Sequence, residues 1–206
     1  MNRLAAVAAL AVLLSPKTPR RPHIMGISHI GLRVSSAAAA RAFYEDFLGL
    51  RGMAVNRRQY VELIPGLVLD EDRLDHIALE TDDAEGLRVY LAARGVAVPE
   101  RVTRDQAGIH FTMHDPDGHV VELVQPSPAG RRALERTELA SGARVSDHIL
   151  HLGIIVGDVP ASMKFYGEVL GFSETWRGSR SGTELSWINM KVPDGGEYVE
   201  LGPRLL

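Results

Sequence analysis

Three histidines in this chain are each followed, after a helical stretch, by a glutamate set between a valine and a leucine. The pairs are His29 with Glu62, His76 with Glu122, and His151 with Glu200. Neutral imidazole and carboxylate are good ligands for Zn, Ni, Fe, Co or Mn. A carboxylate inside an apolar strand also needs a partner, because burying it alone costs several kcal/mol. A single Val-Glu-Leu reads as an alternating strand whose glutamate faces water. Three of them, each coupled to a strand-borne histidine at the start of its unit, read as metal-ligating pairs. The chain has no cysteine, so thiolate zinc sites, disulfides and cysteine nucleophiles are excluded.

The elements that must position these residues repeat. Residues 27–50 and 149–172 share nine identities in twenty-four positions at a constant offset of 122, among them the histidine and a Phe-Tyr pair. A weaker third copy starts at Asp75-His76-Ile77. Each copy opens with a short β-branched strand and continues through a capping residue: Ser35 or Ser36, Asp82 or Asp83, and Asp158. The helix that follows shows an apolar face: Ala40, Phe43 and Phe47; Leu87, Tyr90 and Leu91; Phe165 and Val169. It ends at Gly49, Gly95 or Gly171, each suited to the left-handed position after a helix. Further strands carry the glutamates, the second announced by the turn Asp115-Pro116-Asp117-Gly118. The other histidines have plainer readings. His23 falls in the leader, and His110, His114 and His119 around the last hairpin of the second copy read as surface or core residues, with one of them a candidate to line the cleft. His151 rather than His148 is the equivalent of His29, because each precedes its Phe-Tyr pair by fourteen residues.

The expected organisation is three strand–helix–strand modules, 27–69, 74–127 and 147–206. The first two form one domain over 26–127, a polar linker spans 128–146 with helical turns around Arg131 to Leu139, and the third is half a domain. Net charge is −3, and no basic footprint suggests a nucleic-acid partner. Residues 1–24 begin Met1-Asn2-Arg3, continue with an apolar run from Leu4 to Leu14, and then become basic and proline-rich. That pattern reads as a secretory leader of an exported, periplasmic protein. The run is too short for a membrane span of ~20 residues, and no clean small-residue cleavage site follows Leu14. Without export the location is cytoplasmic.

The sequence resembles the vicinal-oxygen-chelate superfamily of glyoxalases, bleomycin-resistance proteins and dioxygenases. The residues that carry the resemblance are His29 to Val34, Phe43-Tyr44 with Leu48-Gly49, Asp75 to Leu79, and Asp115 to Leu123. It implies an α+β fold in which two βαβββ modules pair into a metal-binding cup, with one unpaired third module. It implies one divalent metal held by His29, Glu62, His76 and Glu122, with His151 and Glu200 as a second half-site. It also implies a small oxygen-chelating substrate and lyase or isomerase chemistry, in which Glu122 or Glu62 leaves the metal to act as base. Extradiol ring cleavage and non-catalytic binding, as in resistance proteins, are the alternatives. Two departures stand out. His29 to Glu62 spans 33 residues against 46 for His76 to Glu122, so the first module is expected to be short by one hairpin strand. The third module has no counterpart, so its cup face is expected to pair with a second copy in a homodimer.

Overall fold

The computed structural model describes residues 19–68, 70–131 and 144–204. The leader reading thus falls mainly on residues outside the described ones, as do the linker's helical turns beyond Arg131. Residues 21–23 lie against the rest of the chain: the His23 amide donates to Asp82 Oδ1 at 3.1 Å, and Arg21 and His23 pair with Asp194. Ile24 is fully buried and opens the first strand, three residues earlier than expected. Among the described residues no helix is long and apolar enough to cross a membrane.

The second module is a complete βαβββ unit: β3 (Leu74–Thr81), α2 (Ala84–Ala92), β4 (Thr103–Arg104), β5 (Gly108–His114) and β6 (Val120–Pro126). Asp83 caps α2 by accepting from the Gly86 amide at 2.8 Å. Leu87, Tyr90 and Leu91 are buried along the expected face. The strand order is β3-β6-β5-β4, with β6 parallel to β3 because the chain crosses over between them. The third module repeats this order as β7-β10-β9-β8, from β7 (His151–Val156), α3 (Val159–Met163, running on as a wider turn to Val169), β8 (Ser173–Gly178), β9 (Trp187–Lys191) and β10 (Tyr198–Pro203).

The first module departs further than its spacing suggested. It has β1 (Ile24–Val34), α1 (Ala37–Arg41, running on to Phe47) and β2 (Tyr60–Pro65), with β2 lying parallel to β1 in the place of a fourth strand. The second and third strands of the module are both absent, rather than one of them. A single helical turn, Arg51–Met53, and a lone bridge between Ala54 and Tyr60 stand in for them. The expected apolar helix face has no sheet to cover, and Phe43 and Phe47 are 49% and 72% exposed. β1 pairs antiparallel with β3, so modules one and two share one sheet of order β2-β1-β3-β6-β5-β4.

Module three is not detached. One face of its sheet, with Ile154, Val156, Ile188, Met190, Val199 and Leu201, shares a core with Leu87 and Leu91 of α2 and with Phe165 and Tyr166. Full burial of such a side chain stabilises by roughly 1.5–3 kcal/mol. Its other face, the one bearing His151 and Glu200, is not covered by any of the described residues.

Asp115 fastens the two units. It is buried, and it accepts from the amides of Asp117 and His119, from His119 Nδ1 at 2.9 Å and from the Tyr166 hydroxyl at 3.1 Å. Burial pushes the Asp115 carboxyl up, but the bonds from His119 and Tyr166 outweigh it and hold the group below the usual carboxylate range. The bond to Asp115 in turn raises His119 against its own burial. Asp115 therefore contributes stability above its unfolded pKa of about 4, lost as pH falls through the lower folded value. His119 contributes below about 6.5, lost as pH rises through the raised folded value. The full chain is expected to have its highest melting temperature between those limits, and His119→Gln should flatten the alkaline fall. A variant whose melting curve keeps the wild-type pH dependence above 6.5 would contradict this role.

Candidate metal centre

Alternation along paired strands places the four predicted ligands on one face of the six-stranded sheet. Gly31 lies opposite both His76 and Glu62, and Ala78 lies opposite both His29 and Glu122. The side chains converge. His29 Nε2 and His76 Nε2 are 3.0 Å apart. Glu122 Oε2 is 3.2 Å from His29 Nε2 and 3.7 Å from His76 Nε2, and Glu62 Oε2 is 3.6 and 3.5 Å from the same two atoms. Metal–ligand bonds of ~2.0–2.2 Å set around one ion leave neighbouring ligand atoms about 3 to 3.6 Å apart, so this donor set fits a single divalent cation. His29, His76 and Glu122 form the tightest group. Glu62, with its side chain 48% exposed, closes the set from the open side.

Each histidine is oriented by a bulge. Ile27 and His29 pair with Leu79 and Ala78, which makes Ser28 an extra residue in β1; Gly31 and Leu32 pair with His76 and Leu74, which makes Asp75 an extra residue in β3. A bulge turns its residue out of strict alternation and lets it reach its neighbour's ring. Ser28 Oγ is 3.3 Å from His29 Nδ1, and Asp75 Oδ1 is 2.9 Å from His76 Nδ1. An Nδ1 proton held by Asp75 leaves the His76 Nε2 lone pair facing the site, the form a metal requires. Arg33 in turn holds Asp75 at 2.6 Å.

Packing fixes the rest. Tyr60 stacks on His29 with centroids 4.3 Å apart and 15° between planes. Burial, and then the charges of Glu62, Glu122 and Asp105, push its hydroxyl up, so it stays protonated. Gly31 cannot carry a side chain, because a Cβ there would lie 2.3 Å from His76 Cε1. On the far side His110 Nδ1 contacts the second oxygen of Glu122 at 2.7 Å, with Asp105 beyond it at 3.3 Å. Burial raises the Glu122 carboxyl, but a hydrogen bond from His29 and the charges of His29, His76 and His110 outweigh it and hold it ionised.

Of the three histidines around the last hairpin of module two, read as surface or core residues with one of them a candidate to line the cleft, His110 is the one beside the cluster, against the candidate ligand Glu122. Its strand position faces Val124, two residues beyond Glu122 on the same face, and only the β5·β6 register reveals that. His119 holds Asp115, His114 is exposed, and His148 lies before β7, 3.6 Å from Glu197. His151 and Glu200 sit on the other sheet, away from this cluster. Ser28 and Tyr60, both touching His29, also line a cavity of about 190 Å³. Its wall includes the buried carboxylate of Glu80, paired with Arg58 at 3.1 Å and with Arg131.

A strand–helix–strands unit, complete in modules two and three and reduced in module one, with its first and last strands parallel and a convergent His/Glu cluster on a shared sheet, is a specific architecture. Superposed on solved structures, 91% of the chain matches an extradiol ring-cleaving dioxygenase from B. fuscum with a TM-score of 0.68 and 23% identity, covering 56% of that chain. The same share matches the 2,3-dioxygenase LapB from Pseudomonas sp. KL28 with a TM-score of 0.70 and 16% identity, covering 73% of that chain. This chain carries the vicinal-oxygen-chelate fold. Residues 148–204, within the third module, match the family model of the Glyoxalase/Bleomycin resistance protein/Dioxygenase superfamily. No curated protein matches it by sequence. The chain spans about half the length of the B. fuscum enzyme.

Proposed function

We propose that this chain is a mononuclear metal enzyme that binds a small substrate through two neighbouring oxygens and moves a proton at the adjacent carbon, as a lyase or isomerase does. The observation that carries the reading is the unequal support of the two carboxylates. Glu122 is braced by His110 and mostly buried, whereas Glu62 is half exposed and, among the described residues, has no bracing side chain beyond the two candidate ligand histidines. A divalent ion held by His29, His76, Glu122 and Glu62 supplies Lewis acidity toward the substrate oxygens. Glu122 keeps its charge and position. Glu62 swings toward solvent and takes the proton on its Oε2, then returns it to the substrate. Tyr60 and Ser28 hold the His29 ring while the carboxylate moves. Arg58 and Arg131 share the single charge of Glu80, which leaves that cavity wall net positive and suited to an acidic substituent.

The test is exchange. The full chain, loaded with Zn, Ni, Co or Mn in turn, is incubated in deuterium oxide with α-hydroxy thioester and thiohemiacetal substrates. Deuterium should enter the carbon beside the carbonyl, and Glu62→Gln should slow this by about 10²–10⁴-fold while bound metal remains. Full exchange in that variant contradicts the assignment of the base. A second reading, ring cleavage of catechols, is favoured by the tight His29–His76–Glu122 group, the two-histidine, one-carboxylate set of non-haem iron oxygenases. Oxygen uptake with catechols by the Fe(II)-loaded chain, unaffected by Glu62→Gln, would replace the first reading with this one.

A further inference from the structure

Where module one lacks its second and third strands, residues 48–59 join α1 to β2 and carry two consecutive arginines, Arg57 and Arg58. The loop is held at both ends of that pair. Asn56 Oδ1 accepts from the amides of Arg58 and Gln59, each at 2.8 Å, which closes a tight turn around Arg57. Gln59 is buried: its Nε2 donates to the carbonyls of Ile27 and Ile149 at 3.1 Å, and its Oε1 accepts from the Ile149 amide at 2.9 Å. Upstream, Met53 keeps φ at 64°, a left-handed backbone that residues with a side chain seldom adopt. A third arginine comes from module two. Gly130 lets the segment after β6 close on Ala107, because a Cβ there would lie 2.7 Å from the Ala107 carbonyl oxygen, and Arg131 follows it.

Arg57, Arg58 and Arg131 all line the cavity of about 190 Å³ that Ser28 and Tyr60 also border. Its single acidic lining residue among the described ones is the buried Glu80, which pairs with Arg58 at 3.1 Å and with Arg131. Arg57 has no acidic partner among the described residues. An ion pair that merely tied two loops together would account for Arg58, Arg131 and Glu80. It would account neither for Arg57 nor for the hollow that the three guanidinium groups share. Three such groups against one carboxylate leave the wall two positive charges in excess. The planar guanidinium fork matches a carboxylate better than any other cationic side chain does.

The sheet register gives the distance. Glu80 stands two residues along β3 from Ala78 on the same face, and Ala78 lies opposite both His29 and Glu122. Two strand residues span about 6.6–6.8 Å. An acid whose neighbouring oxygens meet the metal covers that distance with a spacer of about three or four carbons.

We infer that this cavity is the acid-recognition subsite of the centre, and that the substrate is a small carboxylic acid whose distal carboxylate is held by Arg57, Arg58 and Arg131. Glu80 aims the last two. The inference rests on the two-oxygen chelation proposed above for the His29, Glu62, His76 and Glu122 centre, to which it adds the charge and length of the substrate and the specificity role of Arg57.

The full chain, zinc-loaded and metal-free, is titrated calorimetrically with α-ketoadipate and α-ketohexanoate. The two share a chelating keto-acid end and a chain length, and differ in a distal carboxylate against a methyl group. Zinc-loaded wild type should bind α-ketoadipate about 10–100-fold more tightly. Arg57→Gln and Arg131→Gln should each lower that preference by about 10-fold, with zinc content and α-ketohexanoate affinity unchanged. Arg57→Gln breaks no ion pair among the described residues, so its melting temperature should match that of wild type and its reading does not depend on the Glu80 cluster. Equal affinity of wild type for the two acids, or a preference that survives Arg57→Gln and Arg131→Gln combined, overturns the inference. An α-ketohexanoate affinity that is the same with and without zinc would instead overturn chelation at the metal centre, which keeps the two failures apart.

Discussion

Replacing His76 with alanine should strip the full chain of its tightly bound ion and of all turnover that depends on it. The ring supplies one of two imidazole nitrogens, and its neighbour His29 Nε2 is only 3.0 Å away. Without it the two carboxylates share one imidazole. Asp75→Asn should act more gently, because the ring stays while its Nδ1 partner weakens; a fall of about 10–100-fold in zinc affinity is expected. The order of effects matters more than either size: His76→Ala, then Asp75→Asn, then wild type, read by competition against a chromophoric chelator. Equal affinity in all three would place the ion elsewhere. Because the imidazoles must be neutral to bind, affinity in the wild type should fall on acidification.

Gly31→Val should be nearly as damaging without touching a ligand. Its Cβ would sit 2.3 Å from His76 Cε1 and 2.4 Å from Nδ1, so the ring must leave its place and its bond to Asp75. Overpacking of this kind costs about 1–3 kcal/mol, which for a chain of this size lowers the melting temperature by roughly 2–12 °C. The tight ion should be lost as well. Gly153→Val offers the matched control, since its Cβ meets only Glu200 Oε1 at 3.8 Å. Identical melting and zinc binding in wild type and Gly31→Val would mean that His76 does not stand over Gly31.

That the four candidate ligands share one face was legible because residues two apart on a strand point the same way. Val-Glu-Leu puts its glutamate on one face, and the histidines precede their helices at a constant spacing, so three copies reinforced one another. The residues that orient the ligands were not legible, for two reasons. Ser28 and Asp75 act through bulges, which break the alternation that a sequence pattern relies on. Gly31 and His110 act across strand pairs, and nothing local says that a histidine ring fills the glycine's space or that β5 lies against β6. The helix faces divide the same way. Leu87, Tyr90 and Leu91 are buried as their spacing suggests, but Phe43 and Phe47 show a comparable pattern and are exposed, because the two strands that would meet them are absent. That loss was underestimated as one strand because β4, the equivalent element in module two, is only two residues long. The odd module count was visible from the repeat. The way module three fastens onto module two was not, since it depends on Asp115 reaching Tyr166 fifty-one positions away.

The central claim is that His29, Glu62, His76 and Glu122 hold one ion. Its most direct test is an anomalous difference map from crystals of the full chain grown with Zn(II) or Mn(II) and measured at the metal edge. A single strong peak is expected about 2.0–2.2 Å from both Nε2 atoms, with an oxygen of Glu122 and one of Glu62 at similar range. A map with no peak between these four side chains, while the metal is bound elsewhere on the chain, would contradict the account.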